Sequence, residues 1–404
     1  MLARMWGGSA MPGPLDGVKI VDLTAVVSGP FATAMLGDLG ADVIKVEQPG
    51  GGDVARRFGA VRGGISSGFA VMNRNKRAVA LDLQSKDGVE LFLQLVKDAD
   101  LVLQNFRPGV VDRLGVGYTA CQAVNPDIIY ISISGFGDTG PYAADRVYDH
   151  VIQAVTGFMG VQTDPQTRQP APVRNIVCDK VTSMTVVQGA LAALFAREKG
   201  AGGQHVSITM VDAGLAFLWP DAMSNHTYLG DDVPKVPDLG DTANVTATAD
   251  GFITWYVTSD DEYQGLCRAL DMAELSTDPR FEKLASRVPN MPELNAIANA
   301  RIANYSTADI LARFTKEQVA GAKINLRTDI ADDPQIRHNN AIIEAEHPQA
   351  GKLRYPAPPI RFSRTPADIR RHAPQLGGDT DAVLAELGIS AEQCAAMRAR
   401  GIIA

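Results

Sequence analysis

Val18-Lys-Ile-Val-Asp-Leu-Thr-Ala-Val-Val-Ser-Gly-Pro-Phe-Ala-Thr-Ala-Met-Leu-Gly-Asp-Leu-Gly-Ala-Asp-Val-Ile-Lys-Val-Glu47 holds two strand-like runs with a helix-like run between them. Residues 18–23 are short, apolar and rich in β-branched side chains, the pattern of a buried strand. Residues 30–39 follow as a helix. Pro30 stands in the first turn, where a missing N–H costs nothing, and Gly40 stands just past the end. Residues 42–47 form the second strand, closed by Gln48-Pro-Gly-Gly-Gly52.

The alternation continues outward. Residues 87–99 read as an amphipathic helix, and 101–105 and 128–133 as strands. Residues 180–199 read as an Ala- and Leu-rich helix and 205–210 as a further strand. Short apolar strands alternating with helices predict a mostly parallel sheet covered on both faces. Ligands of such sheets lie beyond the carboxyl ends of the strands. The residues there are Thr24 to Ser28, Glu47-Gln48, Asn105-Phe106-Arg107 and Ser134-Gly-Phe136. Ser28-Gly-Pro30 stands where a dinucleotide-binding chain carries GxGxxG, so a nicotinamide-linked reaction is disfavoured.

Composition bounds the rest. The 404 residues suit two or three domains, or one large α/β unit with a smaller companion, and 46% apolar content allows a sizeable core. The net charge of −8 disfavours nucleic acid, whose binding rests on Lys and Arg neutralising phosphates. Cys121, Cys178, Cys267 and Cys394 form no CxxC pair and read as free thiols of a cytoplasmic protein. No apolar run reaches the roughly 18 residues that span a bilayer, and the first ten residues carry no signal-peptide core. The six histidines show no metal-ligand spacing. Residues 226–250, rich in Asp, Pro, Gly and Thr, mark a boundary, after which a smaller α+β unit runs to about 330. Tyr355-Pro-Ala-Pro-Pro359 reads as extended linker or edge strand, and two helices close the chain near 381–387 and 391–400.

Asp179 is the leading candidate for chemistry. It stands at the head of the Ala-rich helix in Asn175-Ile-Val-Cys-Asp179. A carboxylate there is either a helix N-cap or a nucleophile kept ionised by the positive end of the helix. Arg146-Val147-Tyr148-Asp149-His150 packs a cation, a phenol, a carboxylate and an imidazole together. It is either a solvated loop-to-helix junction or part of a site, with His150 as a general base. Lys76, Arg77, Arg107, Arg113 and Arg146 lie near strand ends, as phosphate contacts or as ordinary surface charge. Cys178 reads as a small buried residue rather than a thiol nucleophile.

Several strings, in order, carry a resemblance. They are Leu15-Asp-Gly-Val-Lys-Ile-Val-Asp-Leu, Gly40-Ala-Asp-Val-Ile-Lys-Val-Glu-Gln-Pro-Gly, Asn73-Arg-Asn-Lys-Arg, Asn105-Phe-Arg-Pro-Gly-Val-Val-Asp-Arg-Leu-Gly, Gly135-Phe-Gly-Asp-Thr-Gly-Pro-Tyr and Leu194-Phe-Ala-Arg-Glu-Lys-Gly. Together they resemble the class III CoA-transferases, the superfamily of formyl-CoA transferase, carnitine CoA-transferase and α-methylacyl-CoA racemase. The likeness is dense over residues 14–220 and returns at Pro374-Gln-Leu-Gly-Gly-Asp-Thr-Asp. It implies an α/β fold: a flexible tail over 1–13, a large CoA-binding Rossmann-like domain over 14–225, a small domain over 226–330, and a C-terminal segment over 331–404 that returns to the large one. It also implies an interlocked homodimer and catalysis by Asp179. Coenzyme A contacts would fall at Val27, Ser28, Gln48, Leu81, Asp82, Leu83, Gln84, Asn105, Phe106, Arg107, Arg113, Arg146, Val147, Tyr148 and Asp149. The implied substrates are an acyl-CoA and a small carboxylic acid, with no metal.

Departures refine the implied activity. The racemases place a histidine where this chain has Tyr148. His150 lies two positions later, which along a helix points roughly 200° away. That favours CoA transfer over racemisation of a 2-methylacyl-CoA, with a catalytically silent CoA-binding protein as a third reading. Val27 replaces a functional glutamine of formyl-CoA transferase, Gln48 a basic CoA contact, and no glycine run occurs over 226–250. These changes disfavour the formyl and oxalyl pair as substrates.

Overall fold

The computed structural model describes residues 11–230, 232–236, 238, 240 and 244–404. The tail expected over 1–13 therefore lies outside the described residues except at its end, where Gly13 is buried and its carbonyl accepts from Asp16. Part of the 226–250 stretch also lies outside them. The chain divides into two compact units, Met1–Pro220 with Asn339–Ala404, and Asp221–His338.

Among the described residues, six strands form the sheet of the first unit: β1 (Lys19–Asp22), β2 (Asp42–Glu47), β3 (Lys76–Ala80), β4 (Leu101–Gln104), β5 (Ile129–Ser134) and β6 (His205–Thr209). Every pairing is parallel, in the order β3-β2-β1-β4-β5-β6. This is the doubly wound order in which the chain reverses direction between β1 and β4, opening a crevice beyond their carboxyl ends.

Helices cover both faces, as the continuous apolar runs of the strands require. On one face α1 (Ser28–Asp38) and the long helix α5 (Val177–Ala196) bury Leu36, Val186 and Ala190 against Ile20, Leu103 and Ile131. On the other, α3 (Lys86–Lys97) sets Phe92 and Leu95 against Val21 and Val102. The closing helices α9 (Thr380–Glu386) and α10 (Ala391–Ala399) add Val383, Leu384 and Cys394 to that second cluster. Each fully buried large apolar side chain contributes roughly 1.5–3 kcal/mol. Between α1 and α3 lies the short α2 (Ser67–Met72), and α4 (Asp149–Thr156) precedes α5.

The string Asn73-Arg-Asn-Lys-Arg77 is a fastener. Arg74 pairs with Asp38, and Arg77 with Asp42 and Glu386. Asn75 reaches Asp38 and the backbone of Asp368, Arg370 and Arg371. Lys76 is fully buried on Asp22, Asn73 and the Pro30 carbonyl. Lys76 is therefore committed to a carboxylate inside the fold and Arg77 to two carboxylates at its edge. The Pro-rich stretch supplies a strand: β11 (Gly351–Pro356) pairs antiparallel with β10 (Ile342–His347).

The second unit is α+β. Its three strands β7 (Thr246–Ala247), β8 (Phe252–Tyr256) and β9 (Ala320–Lys323) pair antiparallel. Alternate residues Ile253 and Trp255 of β8 face a core shared with α6 (Asp260–Ala269), α7 (Met291–Ile302) and α8 (Thr307–Lys316). Among the described residues no helix is long and apolar enough to cross a membrane.

Candidate active site

The crevice at the switch point is built from the loop after β1. Its backbone groups are satisfied one at a time by distant side chains. Asn105, just past β4, accepts from the Ala25 N–H at 2.8 Å and donates to the Ala25 carbonyl at 2.7 Å. Asp53 accepts from the Val26 N–H at 3.0 Å and pairs with Lys45 at 3.0 Å, and Lys45 also donates to the Thr24 carbonyl at 2.7 Å. Lys45 and Asp53 are both buried. Burial opposes the charge on Lys45, yet Asp22, Asp53 and Glu47 hold its pKa above the usual lysine value. The outcome of this scaffolding is Val26 at φ 72°, a left-handed conformation that a β-branched residue adopts at a cost of about 1–3 kcal/mol.

Opposite that loop stands α5. Its N-cap position is Ile176, which makes no side-chain cap. Asp179 is in the first turn and is not the cap. Its own N–H donates to Asp149 Oδ2 at 3.0 Å. Asp149 opens α4, is buried, and receives a second hydrogen bond from Gln153, whose amide also ties Val173 and Asn175 of the segment leading into α5. Gln153 thus fixes the separation of the two carboxylates. Ser183 adds a further tie, its hydroxyl sitting 2.7 Å from the Ser28 carbonyl and 2.8 Å from the Asp179 carbonyl.

Burial first, and the neighbouring Asp149 carboxylate second, push the Asp179 carboxyl up to about 7. Hydrogen bonds from the Ser28 hydroxyl and N–H oppose that shift without cancelling it. Against the sequence-based expectation of a carboxylate held ionised by the helix end, burial and the Asp149 charge favour its protonated form. Burial pushes the adjacent Cys178 thiol up to about 12, so it stays protonated and unreactive, as its reading as a small core residue requires.

Asp179 lies between two cavities. One, over the strand ends, is lined by Ser28, Asn105, Phe106, Arg107, Val147, Tyr148 and Asp149, with Ser134 to Gly137 as its floor. Gly135 permits the close approach of that floor, because a Cβ there would stand 2.6 Å from Val147. The other cavity has walls from Val27, α2 and the segment before it, and is bordered again by Tyr148, Asp149 and Asp179.

Eight of the residues expected at the site thus meet around the first cavity and Val27 borders the second. Gln48, Arg113 and Arg146 are exposed and border neither. Asp82, Leu83 and Gln84 also lie off both, and Leu81 is wholly buried in the core against the C-terminal segment, bridged to Ile403. Thr24 turns its hydroxyl inward to Asp22 rather than into the cavity. His150 borders the same cavity as Tyr148 and Asp179. The helical-wheel argument fails because Tyr148 is the N-cap of α4, extended at φ −140° and ψ 165°, so the two residues do not share a helix. Val26 was included only as part of the stretch Thr24 to Ser28, and Gln153 and the apolar wall around α2 went unassigned in the sequence. A hydrophobic string in the 53–72 segment was the available signal for the last.

Comparison with known proteins places this arrangement. The family model for CoA-transferase family III matches residues 15–380. The succinate–glutarate CoA-transferase of Agrobacterium fabrum is 32% identical over 387 residues, covering 93% of this chain and 96% of the relative. The human succinyl-CoA:glutarate CoA-transferase is 33% identical over 379 residues, covering 93% and 86%. A formyl-CoA:oxalate CoA-transferase of Escherichia coli is 31% identical over 413 residues, covering 96% and 99%. Among solved structures, a CaiB/BaiF family protein from Brucella suis superposes with a TM-score of 0.80 at 32% identity, covering 93% of this chain and all of its own. A Mycobacterium tuberculosis protein gives 0.81 at 27% identity, covering 92% and 99%. With its six-stranded parallel sheet and a match that runs nearly end to end, the chain belongs to CoA-transferase family III.

Proposed function

We propose that this chain moves coenzyme A from an acyl-CoA to a free carboxylic acid, with Asp179 as the covalent relay. The observation that carries the reading is the placement of Asp179: a partly desolvated carboxyl at the mouth shared by two cavities, beyond the strand ends of the switch point. Relatives named for the same reaction type support it.

An Asp179 oxygen attacks the thioester carbonyl. The carbon–sulfur bond breaks, giving a mixed anhydride and CoA thiolate. The thiolate attacks the aspartyl carbonyl and expels the donor acid, leaving an Asp179–CoA thioester. The acceptor carboxylate attacks that thioester and breaks its carbon–sulfur bond, giving a second mixed anhydride and CoA thiolate; the thiolate attacks the acceptor carbonyl of this anhydride, releasing the new acyl-CoA and the free Asp179 carboxylate. Each step exchanges one activated acyl group for another, so charge balances and no nucleotide is consumed. Asn105 holds the loop that carries Val26 and Ser28, Gln153 holds Asp149, and a site closed to water spares the anhydride. Exposed Arg107 at the rim suits a phosphate of coenzyme A. An interlocked, cytoplasmic homodimer fits this reading: Phe217, Trp219 and Leu229 leave apolar surface uncovered, and the four thiols are unpaired.

The test is a matrix of acyl-CoA donors against free acids, read by mass spectrometry. Formation of new acyl-CoA without ATP is expected; hydrolysis alone, or no turnover with any pair, would contradict it. A second reading is favoured by His150 and Asp179 bordering one cavity, as two bases for proton transfer at the α-carbon of a 2-methylacyl-CoA. Rapid deuterium uptake at that carbon without acyl exchange would select it.

A further inference from the structure

The two cavities that meet at Asp179 differ in chemistry. The cavity over the strand ends sets Ser28, Asn105, Ser134, Asp145 and the cation Arg107 among apolar side chains such as Phe106 and Ile133, and it shares Val26 with the other. The other is walled by Val26, Val27, Val54, Phe58, Val71 and Met72. Its described lining includes no Arg or Lys, its carboxylates are Asp149 and Asp179 themselves, and His150 is its one basic group. Nearby Arg56 is committed elsewhere, bonded to Glu47 and to the Pro374 carbonyl.

A dicarboxylic acid bound through one carboxylate at Asp179 would place its second carboxylate among these apolar side chains, with no Arg or Lys in the described lining to pair it. Burying an ion without a partner is strongly unfavourable. An alkyl or aryl chain instead covers apolar surface, which favours its binding. Val54 and Phe58 are 48% and 36% exposed, so apolar area remains to be covered.

We infer that the second cavity receives the acyl chain, and that the acids exchanged by this chain are apolar monocarboxylic acids rather than the dicarboxylic acids for which several of its relatives are named. The inference rests on the transfer reaction proposed above and narrows it to a substrate class. The carboxylate that reacts sits at Asp179 and the hydrocarbon extends toward α2.

The test is a competition between length-matched acids in one reaction, with the full-length protein and one acyl-CoA donor: butyrate against succinate, valerate against glutarate, hexanoate against adipate. The readout is the ratio of acyl-CoA products. The monocarboxylate should win each pair by roughly 100-fold, the scale on which a mismatched polar group is rejected from an apolar site. Phe58→Arg, and separately Val54→Arg, each place a cation on the exposed edge of the wall. Either, once shown to be folded, should move the ratio toward the dicarboxylate by about tenfold or more, the change that roughly 1.4 kcal/mol produces. A wild-type preference for succinate or glutarate overturns the inference and leaves the transfer reaction standing. Unchanged ratios in both folded arginine variants overturn the assignment of this cavity. Absence of exchange with every acid overturns the transfer reading, and the inference with it.

Discussion

Replacing Asp179 by Asn should make the protein more stable at alkaline pH, by an amount that the site's own electrostatics set. In the folded chain burial and Asp149 keep the Asp179 proton on up to about 7. The unfolded chain releases it near 3.9. A raised folded value means that the contribution to stability is full at low pH and is lost as pH climbs through about 7. At about 1.36 kcal/mol per pH unit the whole interval amounts to roughly 4 kcal/mol. Of this, roughly 2 kcal/mol falls between about pH 5.5 and 8.5 in the wild type, and none in the neutral Asn variant. For a unit of this size each kcal/mol moves Tm by about 2 °C. The Tm advantage of Asp179→Asn over wild type should therefore widen by about 4 °C across that range. Calorimetry of both proteins at matched ionic strength measures it, with peptide mass confirming that the introduced asparagine has not deamidated. A difference that stays constant with pH would refute the claim that desolvation and Asp149 raise this carboxyl.

The same titration governs reactivity: only the anion attacks a thioester, so kcat/KM for acyl-CoA should rise with pH through about 7 and level off above it. Initial rates of new acyl-CoA formation at low acyl-CoA give the profile, and a flat one would count against a nucleophile of raised pKa. Lys45→Met leaves Asp53 buried without its cation and should cost about 3–5 kcal/mol in chemical denaturation. Gly135→Ala puts a Cβ 2.6 Å from Val147 and must displace one wall of the strand-end cavity. It should raise KM for acyl-CoA by about tenfold or more while Tm moves little.

The sheet was legible because its strands bury both faces. Runs such as residues 18–23 and 128–133 have no polar alternation to blur them, and Gly40 closed the first helix unambiguously. What lay hidden depended on partners far apart in the chain. Lys76 reads as a phosphate contact or surface charge until the fold sets it beside Asp22, and nothing in the sequence pairs Lys45 with Asp53. The same holds for Asn73-Arg-Asn-Lys-Arg77, a family string that turned out to bind the fold rather than a ligand. Asp179 was legible as a candidate, and the structure sets it at the border of two cavities, but its electrostatics were not legible. The helix end is visible in sequence, whereas Asp149, thirty positions earlier, becomes a neighbour only through Gln153 and the segment it ties. Tyr148 shows the limit of helical-wheel reasoning at a helix start, where one extended residue turns two side chains toward one cavity.

The most direct test of the account is the mass of the peptide that carries Asp179 after mixing the protein with an acyl-CoA it turns over and quenching with hydroxylamine. An aspartyl hydroxamate at Asp179, formed only in the presence of acyl-CoA and absent from Asp179→Asn, is the predicted result. Sustained acyl transfer by Asp179→Asn free of deamidation, or a hydroxamate at any other carboxylate, would contradict it.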